Sequence, residues 1–330
     1  MATPPPLPSA ASAGLRVPPR EASQRRAARP APAPLAPLDM RLLADLPNLE
    51  LQARYMVDGF LSGMHRSPHK GSSAEFAEYR GYQQGDDLRR IDWRLYARSD
   101  RLHVKQYEEE TQLRMFLVLD HSASMNFRSP RGGFRKIEYA RIVLAALGLL
   151  AQRERDAVGF GLAGAELTDF LRAGSSPAHW RSVIARLDAI RPMGEASVAA
   201  ALETLAELAP PRSLIVVASD FYEELPRIEA ALGRLRYDHH DFIGLHVLDP
   251  IEIDFDIEDS GTFVDAETDW KMELDAPAVR KGYLERFGRF CSDLDDLFRD
   301  AGGDMVRLRT DHPAMDALAR YLGQRVQRLK

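Results

Sequence analysis

The residues best placed to do chemistry are an aspartate that ends an apolar run and two serines at alternate positions after it. The run is Met115-Phe-Leu-Val-Leu-Asp120, followed by His121, Ser122, Ala123, Ser124 and Met125. Five consecutive apolar residues read as a strand buried on both faces, as in a parallel sheet. Asp120, Ser122 and Ser124 then offer hard oxygens within one turn, at the strand end where ligands collect in open parallel sheets. Such donors suit Mg²⁺ or Mn²⁺ better than zinc or copper. The plainer alternative is a strand–loop junction whose aspartate binds nearby backbone donors.

A second buried run, Ser213-Leu-Ile-Val-Val-Ala-Ser-Asp220, ends in a carboxylate in the same way. If the two strands are neighbours, Asp120 and Asp220 face one crevice, and close carboxylates repel unless a cation or a proton lies between them. A divalent ion resolves that conflict, with Ser122 and Ser124 beside it. Other motifs carry less. Gly159-Phe-Gly-Leu-Ala-Gly164 has the spacing of a dinucleotide loop, but its glycines fall inside a strand rather than between strand and helix. There is no Gly-x-x-x-x-Gly-Lys loop and no Gly-x-Ser-x-Gly elbow. Ser122 stands where a haloacid-dehalogenase-type phosphatase would need a second aspartate. The pair His239-His240 reads as solvated, and His121 alternates away from Asp120.

The elements that must position these residues follow from periodicity. From Gln112 onward, strands and helices alternate: helices are expected near 135–153, 177–190, 197–208, 224–236, 277–301 and 313–328. Further strands are expected at 156–163, 167–171, 241–248 and 305–308. The acidic stretch from Asp249 to Asp269 reads as a loop with short strands. This alternation predicts a doubly wound, mainly parallel α/β domain over 113–330. Ahead of it, residues 1–38 are rich in Pro, Ala and Arg without an aromatic residue, a composition that predicts disorder. Residues 39–112 combine helical spacing, broken by Pro47, with a charged and aromatic stretch from Gly71 to Thr111. That stretch reads as a structural clasp rather than a base-stacking surface, because its acids nearly match its bases.

Composition narrows the function classes. The formal charge is −5 over 330 residues, against a nucleic-acid binder. The single cysteine, Cys291, excludes an intramolecular disulfide and a cysteine-based zinc site. The longest apolar run, Ile142 to Ala151, is about half of a bilayer span, and Arg25-Arg26 is followed by prolines rather than a signal core. The expected location is cytoplasmic.

Asp120-His-Ser-Ala-Ser124 resembles the metal-ion-dependent adhesion site of von Willebrand factor A domains. The stretch Glu75-Phe…Arg80-x-Tyr82-x-x-Gly85-Asp86-Asp87-x-Arg89-x-Ile91-Asp92-Trp93…Ala97-Arg98 resembles the signature of the bacterial domain of unknown function 58 family. That resemblance implies a von Willebrand A-like domain whose first and fourth strands are adjacent, and a MoxR-type AAA+ ATPase as partner. It also implies a threonine from the loop between those strands. Aligned on the following helix, that position is Ala196, and Ser197 either supplies the hydroxyl or caps the helix. The expected ligands of Mg²⁺ are therefore Asp120, Ser122, Ser124, Ser197 and Asp220. The expected function is a non-enzymatic protein–protein interaction module. Two alternatives use the same scaffold: a metal-free version, and a metal-dependent hydrolase acting in the Asp120/Asp220 crevice.

Overall fold

The structure is a computed structural model that describes residues 38–64, 79–81, 96, 98, 101, 103–105 and 112–328, except 267 and 269. The expected disorder of 1–38 lies outside the described residues but for Leu38. So does the proposed clasp, apart from Tyr96, Arg98, Arg101 and the antiparallel pair of β1 (Tyr79–Gly81) with β2 (His103–Lys105).

Pro47 separates two helices, α1 (Met40–Asp45) and α2 (Leu49–Met64). The domain then runs β3 (Arg114–Asp120), α3 (Lys136–Arg153), β4 (Ala157–Ala163), β5 (Leu167–Gly174), α4 (Pro177–Ala189), α5 (Val198–Leu208), β6 (Leu214–Ser219), α6 (Leu225–Tyr237) and β7 (Asp241–Leu248). It continues through α7 (Pro250–Asp254), β8 (Gly261–Val264), β9 (Lys271–Leu274), α8 (Ala276–Asp300), β10 (Asp304–Arg309) and α9 (Met315–Arg328). Six strands form one sheet in the order β10-β7-β6-β3-β4-β5. All its pairings are parallel except β4 with β5, whose register shifts at two points. This is the expected doubly wound sheet. The rejected glycine motif does lie within β4 and its flank.

Alternation along β3 divides the core. Met115, Leu117 and Leu119 pack with the apolar faces of α2, α3 and α4, while Phe116 and Val118 pack with α5, α6 and α8. Every residue of β3 from Met115 to Asp120 is buried, as expected for a central parallel strand. Burying side chains of this size contributes about 1.5–3 kcal/mol each, which fixes the strand's end with little freedom. Helix α2 belongs to the same core: Ala53, Met56, Val57 and Phe60 join the cluster that includes Tyr139, Val143 and Leu147 of α3.

The acidic segment after β7 carries the expected short strands, β8 and β9, and also a helical turn where the sequence suggested loop. That turn is α7, with Pro250 at the opening position, Asp249 as cap and Glu252 closing a capping box.

Candidate functional site at the carboxyl edge of the sheet

Strands β3 and β6 are hydrogen-bonded neighbours, with Leu119 opposite Ala218 in register. Their next residues bring the two carboxylates together at one edge. Ser122 N donates to Asp120 Oδ1 at 2.8 Å, and Ser219 Oγ donates to Asp120 Oδ2 at 2.6 Å. Ser124 Oγ donates to Asp220 Oδ2 at 2.8 Å and lies 2.9 Å from Ser122 Oγ. Four of the five expected residues thus form one hydrogen-bonded chain. Asp120, Ser122 and Asp220 are buried, and Ser124 is half-buried.

Ser197 does not join that chain. Its Oγ accepts from Ala200 N at 3.1 Å, capping α5, and donates to Glu223 Oε1 at 2.6 Å. The capping alternative describes its bonds, because the helix has unsatisfied N–H groups and a hydroxyl at this position meets them. Ala196 brings no hydroxyl to the neighbouring position. His121 turns away, with Nδ1 2.7 Å from Ala163 O.

Three residues here were not singled out in the sequence. Lys136, the first residue of α3, is only 1% exposed. Its Nζ donates to Asp220 Oδ2 and to Glu252 Oε1, both at 2.7 Å, and stands 5.2 Å from the centre of the Tyr222 ring. Glu252 also accepts from Tyr222 OH at 3.2 Å through Oε1 and from Asp249 N at 2.7 Å through Oε2. Asp249 follows β7 as Asp220 follows β6, and its Oδ2 takes Ser129 N of the loop after β3 at 2.9 Å. A Cβ on Gly132 would lie 2.4 Å from that oxygen, so this loop position requires glycine.

Burial, and then the charge of Asp220, push the Asp120 carboxyl up to about 6. Burial pulls Lys136 down, but Asp220 and Glu252 outweigh it and hold the ammonium above its usual range. Burial lifts Glu252 against the opposing pull of Lys136. Behind the site, burial drives His246 down to about 3, so it is neutral at physiological pH. Its ring meets Phe221 edge-on, and Phe221 adopts φ +54° directly after Asp220. A left-handed aromatic residue costs about 1–3 kcal/mol and persists only where its surroundings hold it.

The donors that converge are all oxygens, which fits a hard divalent cation. Among the described residues no group of three His, Cys, Asp or Glu side chains is arranged to hold a metal ion. A metal at this edge would therefore depend on the serine hydroxyls as well as the two aspartates.

A six-stranded sheet with one antiparallel edge strand, and an Asp-x-Ser-x-Ser turn at the carboxyl end of a central strand, is the architecture of a von Willebrand A-like α/β domain. The chain belongs to the family described as "Protein of unknown function DUF58", whose match spans residues 78–289. Among curated proteins it is 29% identical over 294 residues to "Uncharacterized protein Rv1480" of Mycobacterium tuberculosis, covering 87% of this chain and 90% of that one. "Uncharacterized protein YeaD" of Bacillus subtilis is 34% identical over 79 residues, 24% of this chain and 19% of that one. Among solved structures, an aerotolerance-related membrane protein from Bacteroides fragilis aligns at 18% identity and TM-score 0.45, covering 64% of this chain and 99% of that one. BatB from Bacteroides thetaiotaomicron aligns at 14% identity and TM-score 0.44, covering 65% and 99%. Among the described residues no helix is long and apolar enough to cross a membrane.

Proposed function

We propose that the chain is a non-enzymatic protein–protein interaction module whose carboxyl-edge crevice binds Mg²⁺ and presents it to a partner. Asp120, Ser122, Ser124 and Asp220 would hold the ion. Its chemistry there is to accept a carboxylate from the partner at an open coordination position. The supporting observation is a charge imbalance: Asp220 and Glu252 share one ammonium, Lys136, while Asp120, buried near Asp220, is bonded among the described residues only to Ser122 N and Ser219 Oγ. With Asp249 also buried beside Glu252, the carboxylates outnumber the ammonium by more than one, and a divalent ion offsets part of that excess. Among the described residues, no side chain beyond the candidate ligands is set up as nucleophile or general base, which favours binding over hydrolysis. The family resemblance suggests a MoxR-type AAA+ ATPase, or its client, as the partner.

The test is calorimetry of Mg²⁺ binding, with a pull-down of the partner in Mg²⁺ and in chelator. Wild type is expected to bind the ion and Asp120→Ala to lose it, with capture of the partner falling in both chelator and variant. Partner binding indifferent to chelator and to Asp120→Ala would sink the metal-bridged mechanism.

One observation favours the metal-free version of the scaffold. The Lys136 ammonium already sits on Asp220 Oδ2 and neutralises that carboxylate from within. Crystals soaked in Mn²⁺ separate the two readings: anomalous density beside Asp120 supports the metal, and its absence supports the ammonium as sole counterion.

A further inference from the structure

Connections in α/β units usually take about two to six residues. Here 27 residues, 249–275, separate β7 from α8 and carry α7 and the antiparallel ribbon of β8 and β9. A two-stranded ribbon is only marginally stable by itself in water. This one is held from one side: Phe263 stacks on Phe255 at 6.5 Å, and Phe255 stacks on Tyr283 of α8 at 4.3 Å.

Register and alternation put Phe263, Met272 and Leu274 on that same face, and Trp270 continues it beyond the strand. The face outruns its support. Phe263 and Leu274 are half-buried, whereas Met272 is 38% and Trp270 61% exposed. Contiguous exposed apolar surface of this kind marks interaction sites, where isolated exposed side chains do not.

The rim is mainly acidic. From Glu252 to Asp275 the sequence has ten acidic residues and one basic residue, Lys271, although the whole chain carries only −5; Glu252, Asp254 and Asp256 are paired with Lys136, Arg131 and Arg309 and are not part of that rim. Glu258, Asp259, Asp265 and Glu273 are exposed around the ribbon. Interfaces of this design combine an apolar centre with a charged rim that selects the partner and speeds encounter.

The geometry points to the β8–β9 ribbon as a docking surface for a partner-protein segment with an aliphatic or aromatic anchor between lysines or arginines. The acidic rim selects the basic flanks, and Met272 and Trp270 receive the anchor. This surface is separate from the Asp120 crevice and does not require Mg²⁺.

The full-length protein tests it, in chelator, by fluorescence anisotropy of a labelled synthetic peptide with a Leu-Trp-Leu centre and three lysines on each side. Binding is expected, and should weaken with added salt. Trp270→Ser and the pair Glu258→Lys/Asp259→Lys should each weaken it about tenfold, as loss of an anchor or of a complementary rim does. Both variants change exposed residues, and circular dichroism checks their fold. Asp120→Ala should leave this binding unchanged even if it abolishes Mg²⁺ binding, so the two proposals fail separately. Equal binding of a glutamate-flanked peptide, or indifference to Trp270→Ser, overturns the assignment. A dimer in sedimentation that dissociates on Trp270→Ser also overturns it, by giving the face to a second copy of the chain.

Discussion

Replacing Lys136 with methionine tests whether its ammonium holds the carboxyl edge together. The side chain is 1% exposed, and Nζ lies 2.7 Å from an oxygen of Asp220 and of Glu252. Two oxygens each 2.7 Å from one nitrogen can be no more than about 5.4 Å apart, and at an effective dielectric of about 20 their charges then repel by roughly 3 kcal/mol. Removing one partner of a buried ion pair typically costs about 3–5 kcal/mol, because the remaining charge stays buried without compensation. Lys136→Met should therefore lose about 3–5 kcal/mol of unfolding free energy at pH 7.5 in chelator, read by urea denaturation with circular dichroism. The triple variant Lys136→Met, Asp220→Asn, Glu252→Gln removes the repelling charges as well and should recover most of that loss. A loss below about 1 kcal/mol, as at an exposed ion pair, would refute the argument. So would a triple variant no more stable than the single one.

Three further outcomes follow from the same geometry. Asp120 has a folded-state pKa near 6 against an ordinary value of 3.8, so its charge destabilises the fold fully above pH 6 and not at all below 3.8. Asp120→Asn should thus stabilise the metal-free protein by about 1–3 kcal/mol at pH 7.5, with the gain fading toward pH 4 in a denaturation series. His246 has the opposite slope: depressed from 6.5 to about 3, it contributes stability above pH 6.5 that is lost as pH falls toward 3. His246→Leu should flatten the acid limb of the stability profile, and an unchanged slope between pH 6.5 and 4 would contradict this. Ser197→Ala should cost about 1 kcal/mol through the lost cap of α5 while Mg²⁺ affinity by calorimetry stays the same; a tenfold weaker affinity would restore Ser197 to the ligands.

Much of this fold is legible in the sequence because the central strands are buried on both faces. Apolar runs such as 115–119 and 214–218 leave little room for another reading, and the carboxylates that end them fall at the sheet edge by topology alone. That Asp120, Ser122, Ser124 and Asp220 meet at one sheet edge could be foreseen for that reason. Lys136 could not. A lysine at the start of a helix looks like a solvated residue, and its burial depends on Asp220 and Glu252, 84 and 116 residues further along. Glu252 carried a readable local signal, since Asp249-Pro-Ile-Glu252 is a capping box with proline at its first position. Its second role, accepting from Lys136 and Tyr222, exists only in three dimensions. The acidic stretch showed its short strands but hid α7 for a similar reason: charge dominates its composition, and the aromatic contacts that hold the ribbon reach it through Tyr283 of α8.

The irregular pairing of β5 has a consequence for the protein in concentrated solution. Among the described residues β5 forms one margin of the sheet, its register against β4 slips twice, and Asp169 within it takes φ +46°. A straight strand there would offer a regular row of amide and carbonyl groups on which another chain could template a seventh strand and then further copies. The slips and the left-handed aspartate break that row, and a charged side chain stands where a growing fibril would need an apolar one. The same irregularity that twice shifts β5's register against β4 makes this margin of the sheet a poor template for a further strand.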